Sequence, residues 1–122
     1  MNAIWIAPHP SVYVQEEMDE RHWDRDILAY MMVAGVSNTR EALKWFNERP
    51  RDEWAKNWSH TRLALDLFFE VGPTDPNLLM GDDAVRLAKA FGTSDEFFAN
   101  LEREWRRQQA VAKDSDGTER GS

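Results

Sequence analysis

Residues 82–104 read DDAVRLAKAFGTSDEFFANLERE, and the fold turns on how this stretch is read. Ala84, Val85, Leu87, Ala88 and Phe91 recur at helical spacing, which predicts one buried helix face. Asp82 and Asp83 stand at its start, where carboxylates complement the helix dipole. Gly92 suits the left-handed turn that closes a helix. Thr93 and Glu96 have the T-x-x-E spacing of a capping box, so a new helix is expected at once. Phe97, Phe98, Leu101 and Trp105 line that helix, with Arg106 and Arg107 near its negative end. Two amphipathic helices meeting at a sharp corner point to an all-α domain.

The rest of the chain repeats this grammar. Trp54, Trp58, Thr61, Leu65, Phe68 and Phe69 recur at spacings of three and four after Pro50. They predict a long helix over 51–71, roughly 30 Å at about 1.5 Å per residue. Gly72 is expected to supply its left-handed C-cap and Pro73 to forbid continuation, leaving GPTDPN (72–77) as a loop. Upstream, Gly35 interrupts the chain and Ser37 or Thr39 can cap a helix. Its Ala42, Leu43 and Phe46 point inward, and its Arg40, Glu41, Lys44 and Asn47 outward. Asp24 is the expected N-cap of an earlier helix with Ile27–Met31 and Leu28–Met32 pairs, and Pro10 opens the first. Residues 2–7, NAIWIA, alternate weakly and predict one short strand. From 112 onward AKDSDGTERGS reads as a disordered tail, so one domain over 1–111 is expected.

Composition narrows the function classes. The 122 residues carry a formal charge of −7 and no cysteine, which excludes disulfides, thiolate metal sites and thiol nucleophiles. No apolar run approaches a membrane span, and MNAIWIAPHP lacks the basic start of a signal peptide, so a soluble cytoplasmic protein is expected. His9, His22 and His60 show no metal-ligand spacing, and no phosphate-cradling or nucleophile motif is present. Glu16–Glu17 and Asp82–Asp83 read as helix surface and dipole complement. The expectation is therefore neither an enzyme nor a cofactor protein. Six tryptophans are many for this length; they read mainly as core, with some as interface anchors.

Three stretches carry a resemblance to the HigA-type antitoxins, a branch of the XRE family with a lambda-repressor-like helix-turn-helix. HPSVYVQEEMDERHW (9–23) is similar to the family's opening H-P-G-E-x-L-x-E-E-x, which ends in Gly-Trp; Ser11 stands for the first glycine and His22 for the one before Trp23. Leu28–Ala29 falls where the family has Leu-Ala in its second helix. The stretch 82–104 resembles A-L-R-L-A-x-x-F-G-T-S-x-E-F-W-x-N-L-Q almost residue by residue. The likeness covers about half of the chain. It implies a bundle of five to six helices, a homodimer formed through the helix 94–109, a double-stranded DNA operator, autoregulation and a toxin protein as partner.

The chain departs from the family between Ala29 and Asp82, where it has a helix's length of extra residues, about 51–77. Two segments compete for the recognition helix. In the preferred placement it lies in GVSNTREALKWFNERP (35–50), whose Gly35, Val36 and Ser37 resemble the family's G-V-S turn. The other places it in SHTRLALDLFFEVG (59–72), which offers Leu63, Asp66 and Leu67 where polar donors belong. In the first, Ser37, Asn38, Thr39 and Arg40 would meet base edges and Lys44, Arg49 and Arg51 the phosphates. Asp24 and Asp26 replace the family's neutral Ser-Gln at a helix N-terminus and would discharge an anion site there. From Arg40 to Arg62 the chain carries six cations and four carboxylates, a balance of +2. Affinity follows such local neutralisation rather than net charge. The rival reading is a protein-interaction module that keeps the scaffold without reading DNA. Its anchors would be Trp45, Trp54 and Trp58, and the expected protein interface in either case includes Trp54, Trp58, Phe98, Leu101 and Trp105.

Overall fold

The computed structural model describes residues 7–121, with side chains as far as residue 112. Among these the order is α1 (Pro10–Arg21), α2 (Arg25–Ala34), α3 (Thr39–Asn47), α4 (Arg51–Glu70), a 3-10 turn (Gly72–Thr74), α5 (Asp83–Phe91) and α6 (Phe97–Gly121). No strand occurs among the described residues. Residues 2–6 of the expected strand lie outside them. The expected disordered tail also falls almost wholly on residues whose side chains lie outside them, although the backbone of α6 runs to Gly121.

The core forms around α2, because Leu28, Ala29, Met31 and Met32 are all excluded from solvent. Val14 and Met18 of α1, Leu65 and Phe68 of α4, Leu87, Ala88 and Phe91 of α5, and Phe98 of α6 close over it. Each methylene so buried contributes about 0.8 kcal/mol, so this single cluster outweighs every surface ion pair in the chain. The helix-spacing pattern places most of these residues correctly. Two positions differ: Leu43 is 64% exposed and Val85 37% exposed, while Ala90 is buried instead. Short helices with one narrow contact face explain both, since an apolar residue at the edge of the stripe falls outside the contact.

Helix ends follow local chemistry with three corrections. Asp24 caps α2 as expected, its carboxylate accepting the Ile27 N–H at 2.8 Å. Gly92 closes α5 with a φ of 72°. At α3, however, the cap is Asn38, whose side-chain oxygen accepts the Glu41 N–H at 2.8 Å, so Thr39 is the first helical residue. The Thr93–Glu96 capping box does not form. Thr93 instead turns back, its N–H donating to Ala88 O at 2.9 Å and its hydroxyl to the same carbonyl at 3.4 Å.

Gly72 is the third correction, and its reason is tertiary. Helix α4 closes through Val71 in a right-handed conformation, whose N–H donates to Leu67 O. Gly72 is buried, and a Cβ there would stand 2.8 Å from Cε1 of His9. The His9 ring is itself wedged 5.3 Å from Phe68 and 4.7 Å from Trp105, ring centre to ring centre. Its Nδ1 accepts the Ser11 N–H at 3.1 Å and so caps α1, while Ala7 N–H donates to Gln108 Oε1. The segment before α1 thus fastens α4 to α6 through one imidazole.

Two outcomes follow from that wedge. Gly72→Ala must displace a ring held by two aromatic neighbours, and should cost about 1–3 kcal/mol in denaturant unfolding, as overpacking does. Burial also lowers the His9 pKa from 6.5 to about 4. The folded state therefore refuses a proton that the unfolded state accepts, so stability falls as pH drops from about 6.5 towards about 4. A melting series should show this fall beginning above the carboxylate range. His9→Asn, which keeps a neutral cap, should remove that early part of the slope.

Candidate nucleic-acid interface

Four residues, 35–38, join α2 to α3. Gly35 ends α2 at φ 69°, its N–H donating to Met31 O at 2.8 Å, and Val36 N–H reaches the same carbonyl. This left-handed step turns the chain so that Ser37 comes to the C-terminal corner of α5, within 4.0 Å of where a Gly92 Cβ would stand. Helix α3 then leaves the corner with Asn38 as its cap.

The inner side of α3 is fixed by aromatic rings. Phe46 lies 5.1 Å from Tyr30 of α2 and 4.7 Å from Trp54 of α4, and Tyr30 also meets Trp54 and Trp58 at 5.9 and 5.1 Å. The Trp58 indole N–H donates to Asp26 O at 3.3 Å, which ties α4 to the start of α2. Trp54 and Trp58, expected as interface anchors, therefore serve this internal cluster and are half-buried. Phe98 and Trp105 are buried in the chain's own core, which leaves them no surface for a partner; Leu101 is half-buried against the same core.

The outer side of α3 is polar and open. Ser37, Asn38, Thr39, Arg40, Lys44 and Asn47 are all exposed. Among the described residues Arg40 and Lys44 take part in no ion pair. Their flank carries Glu41 and Glu48, also exposed, so the helix face is cationic along one line rather than across its width. Arg51 stands exposed at the start of α4. Arg49 behaves differently: its guanidinium lies 4.1 Å from the Trp45 ring centre and donates to Trp45 O at 2.9 Å. It braces the α3–α4 corner and covers Trp45, so neither presents a free face.

The remaining cations of this region are consumed. Arg62 of α4 binds Asp26 at 2.7 Å and also Asp66, and Arg25 of α2 binds Asp66 at 2.7 Å and Glu70 at 3.2 Å. Hydrogen bonds from Arg62 first, then Arg25, hold the Asp66 carboxyl below its ordinary range. Without Arg62 the local balance of +2 drops to +1. Asp26 and Asp24 occupy the N-terminal end of α2, as their sequence positions imply, so that end offers no anion site. The competing segment 59–72 forms the inner half of α4 instead: Thr61, Leu65 and Phe68 are buried and Asp66 is paired. Sequence reasoning missed this four-residue network because its partners lie about 40 residues apart.

No group of histidine and carboxylate side chains among the described residues could hold a metal ion. No helix among them is long and apolar enough to cross a membrane. No family model, curated protein sequence or solved structure matches the chain.

The cap of α3 is the most exposed dependency of this surface. Asn38→Ala should cost about 1 kcal/mol of stability. Amide exchange should localise the loss to the first turn of α3, with α2 and α5 unchanged.

Proposed function

We propose that this chain is a sequence-reading double-stranded DNA-binding protein in which α2, the 35–38 turn and α3 act as a helix-turn-helix. One observation carries the reading: the Arg40–Lys44 line of α3 is exposed and free of ion pairs, while the opposite side of the same helix is anchored by Phe46 on Tyr30 and Trp54. A helix held rigidly by its inner face, with donors on the outer one, is what reading base edges requires. In this reading Ser37, Asn38, Thr39 and Arg40 meet the major groove, and Lys44 and Arg51 the phosphates. Arg49 is withdrawn from that set, because it is spent on Trp45. The cap uses only the Asn38 side-chain oxygen, so its amide N–H groups stay available for an adenine or a phosphate.

A further support comes from His22. It stands where the HigA-type pattern has glycine, and it adopts a φ of 58°, a conformation that glycine holds at least cost. The lambda-repressor-like class, a homodimer, an operator with two half-sites, autoregulation and a toxin partner all follow from that resemblance and form part of the proposal. In it α4 is the inserted element, packed across α2 as a brace.

Salt dependence tests the reading. Binding to duplex DNA should weaken steeply as salt rises, with a log–log slope of about 0.9 per neutralised phosphate. Replacing both Arg40 and Lys44 by alanine should flatten that slope by about two per protomer without changing the melting temperature. Absence of binding to any duplex at low salt would instead favour the protein-interaction module.

A further inference from the structure

The face of α4 turned away from α2 carries an apolar stripe. Leu63, Leu67 and Val71 follow at intervals of four and are 60%, 43% and 38% exposed. Leu67 forms one wall of a groove of about 80 Å³ between α4 and the chain before α5. Its floor and other wall are Met32, Phe68, Leu78, Met80 and Leu87, and Leu79, 54% exposed, stands at its lip. A cofactor-sized ligand takes about 300–1,000 Å³, so this groove fits one or two side chains and no more. The stripe beside it runs about 12 Å, two turns of a helix.

The electrostatics of this face have one sign. From Leu63 to Val85 the chain carries Asp66, Glu70, Asp75, Asp82 and Asp83 and no lysine, arginine or histidine. Arg25 and Arg62 reach Asp66 and Glu70 from outside the stretch. Among the described residues Asp75 and Asp82 pair with no cation. Asp83 lines the groove itself, is half-buried, and has Arg86 only at 3.6 Å. Burial raises its carboxyl above the ordinary range despite Arg86, and Asp82 adds to the effect. A cation brought to this point would relieve a carboxylate that the chain leaves under-compensated.

We infer that this groove and the Leu63–Leu67–Val71 stripe form a docking surface for a cationic amphipathic helix of a partner protein. One apolar side chain of that helix enters the groove, its neighbours at helical spacing lie along the leucine stripe, and a lysine or arginine meets Asp83. Small groove, apolar stripe and carboxylate field together select this occupant. A small molecule would need more volume, and an acidic segment would be repelled. The surface is separate from the α3 line, so it does not depend on the DNA-binding proposal.

The test uses the whole chain and a synthetic leucine–lysine peptide with leucines at i, i+4 and i+7, titrated by anisotropy. A scrambled peptide of the same composition and a leucine–glutamate version serve as controls. The expected result is saturable binding of the patterned peptide only, weakened about ten-fold or more by Leu63→Asp and by Leu79→Asp. Both positions are more than half exposed, so both variants should melt as the parent does. Asp83→Asn should weaken binding and reduce its salt dependence, while duplex DNA affinity should be the same in all three variants. Equal binding of the scrambled peptide, or indifference to the leucine substitutions, would overturn the inference. Sedimentation showing a self-associated chain that Leu63→Asp turns into monomer would also overturn it, assigning the face to a second copy.

Discussion

Tyr30 is the point on which the outer half of the molecule depends. It projects from α2 between Phe46 of α3 and Trp54 and Trp58 of α4, all within 6 Å, ring centre to ring centre. Aromatic contacts of this kind add about 0.5–1.5 kcal/mol each beyond their buried area. Helix α3 buries only Ala42 fully, so it has no other way to hold its orientation. Without the ring cluster its cationic line would have no fixed direction.

The same arrangement explains how an acidic chain keeps a usable cationic surface. Carboxylates on α2 and α4 are matched internally by Arg25 and Arg62, which stay at the α2–α4 seam. Such half-exposed pairs contribute little stability each. Their effect is on position: they hold two cations away from α3 and keep Asp26 and Asp66 from facing it. What remains outside is divided by sign. Arg40 and Lys44 lie on one side, and the uncompensated Asp75, Asp82 and Asp83 lie about the groove on another. A net charge of −7 describes the sum of these faces and neither of them.

Most of the fold was legible where cause and effect are close in the chain. Asp24 and Gly92 act on the residues beside them, and the stripe Leu65–Phe68 or Leu87–Ala88–Phe91 is a local periodicity. Legibility ended where the cause was distant. Gly72 followed by Pro73 has the form of a helix stop, but the reason for glycine is the His9 ring from the other end of the chain. Arg62 read as one more surface cation until α2 was beside it. Trp54 and Trp58 could be assigned to a helix but not to an inside or an outside, because both lie at the margin of the stripe. The Thr93–Glu96 spacing was a real motif defeated by a nearer acceptor, Ala88 O.

The candidate surface was legible in its residues and not in its balance. Ser37 to Lys44 are exposed in the order their spacing implies, yet the loss of Arg49 to Trp45 and of Arg62 to two aspartates halves the cations free to act there. The central claim is that α3 presents its Arg40–Lys44 side to a duplex while the rest of the chain stands behind it. Amide chemical-shift mapping with a DNA duplex at low salt tests this most directly. The account predicts that shifts concentrate on residues 37–48 and leave 63–85 in place. Perturbations centred on α4, or none along α3, would contradict it.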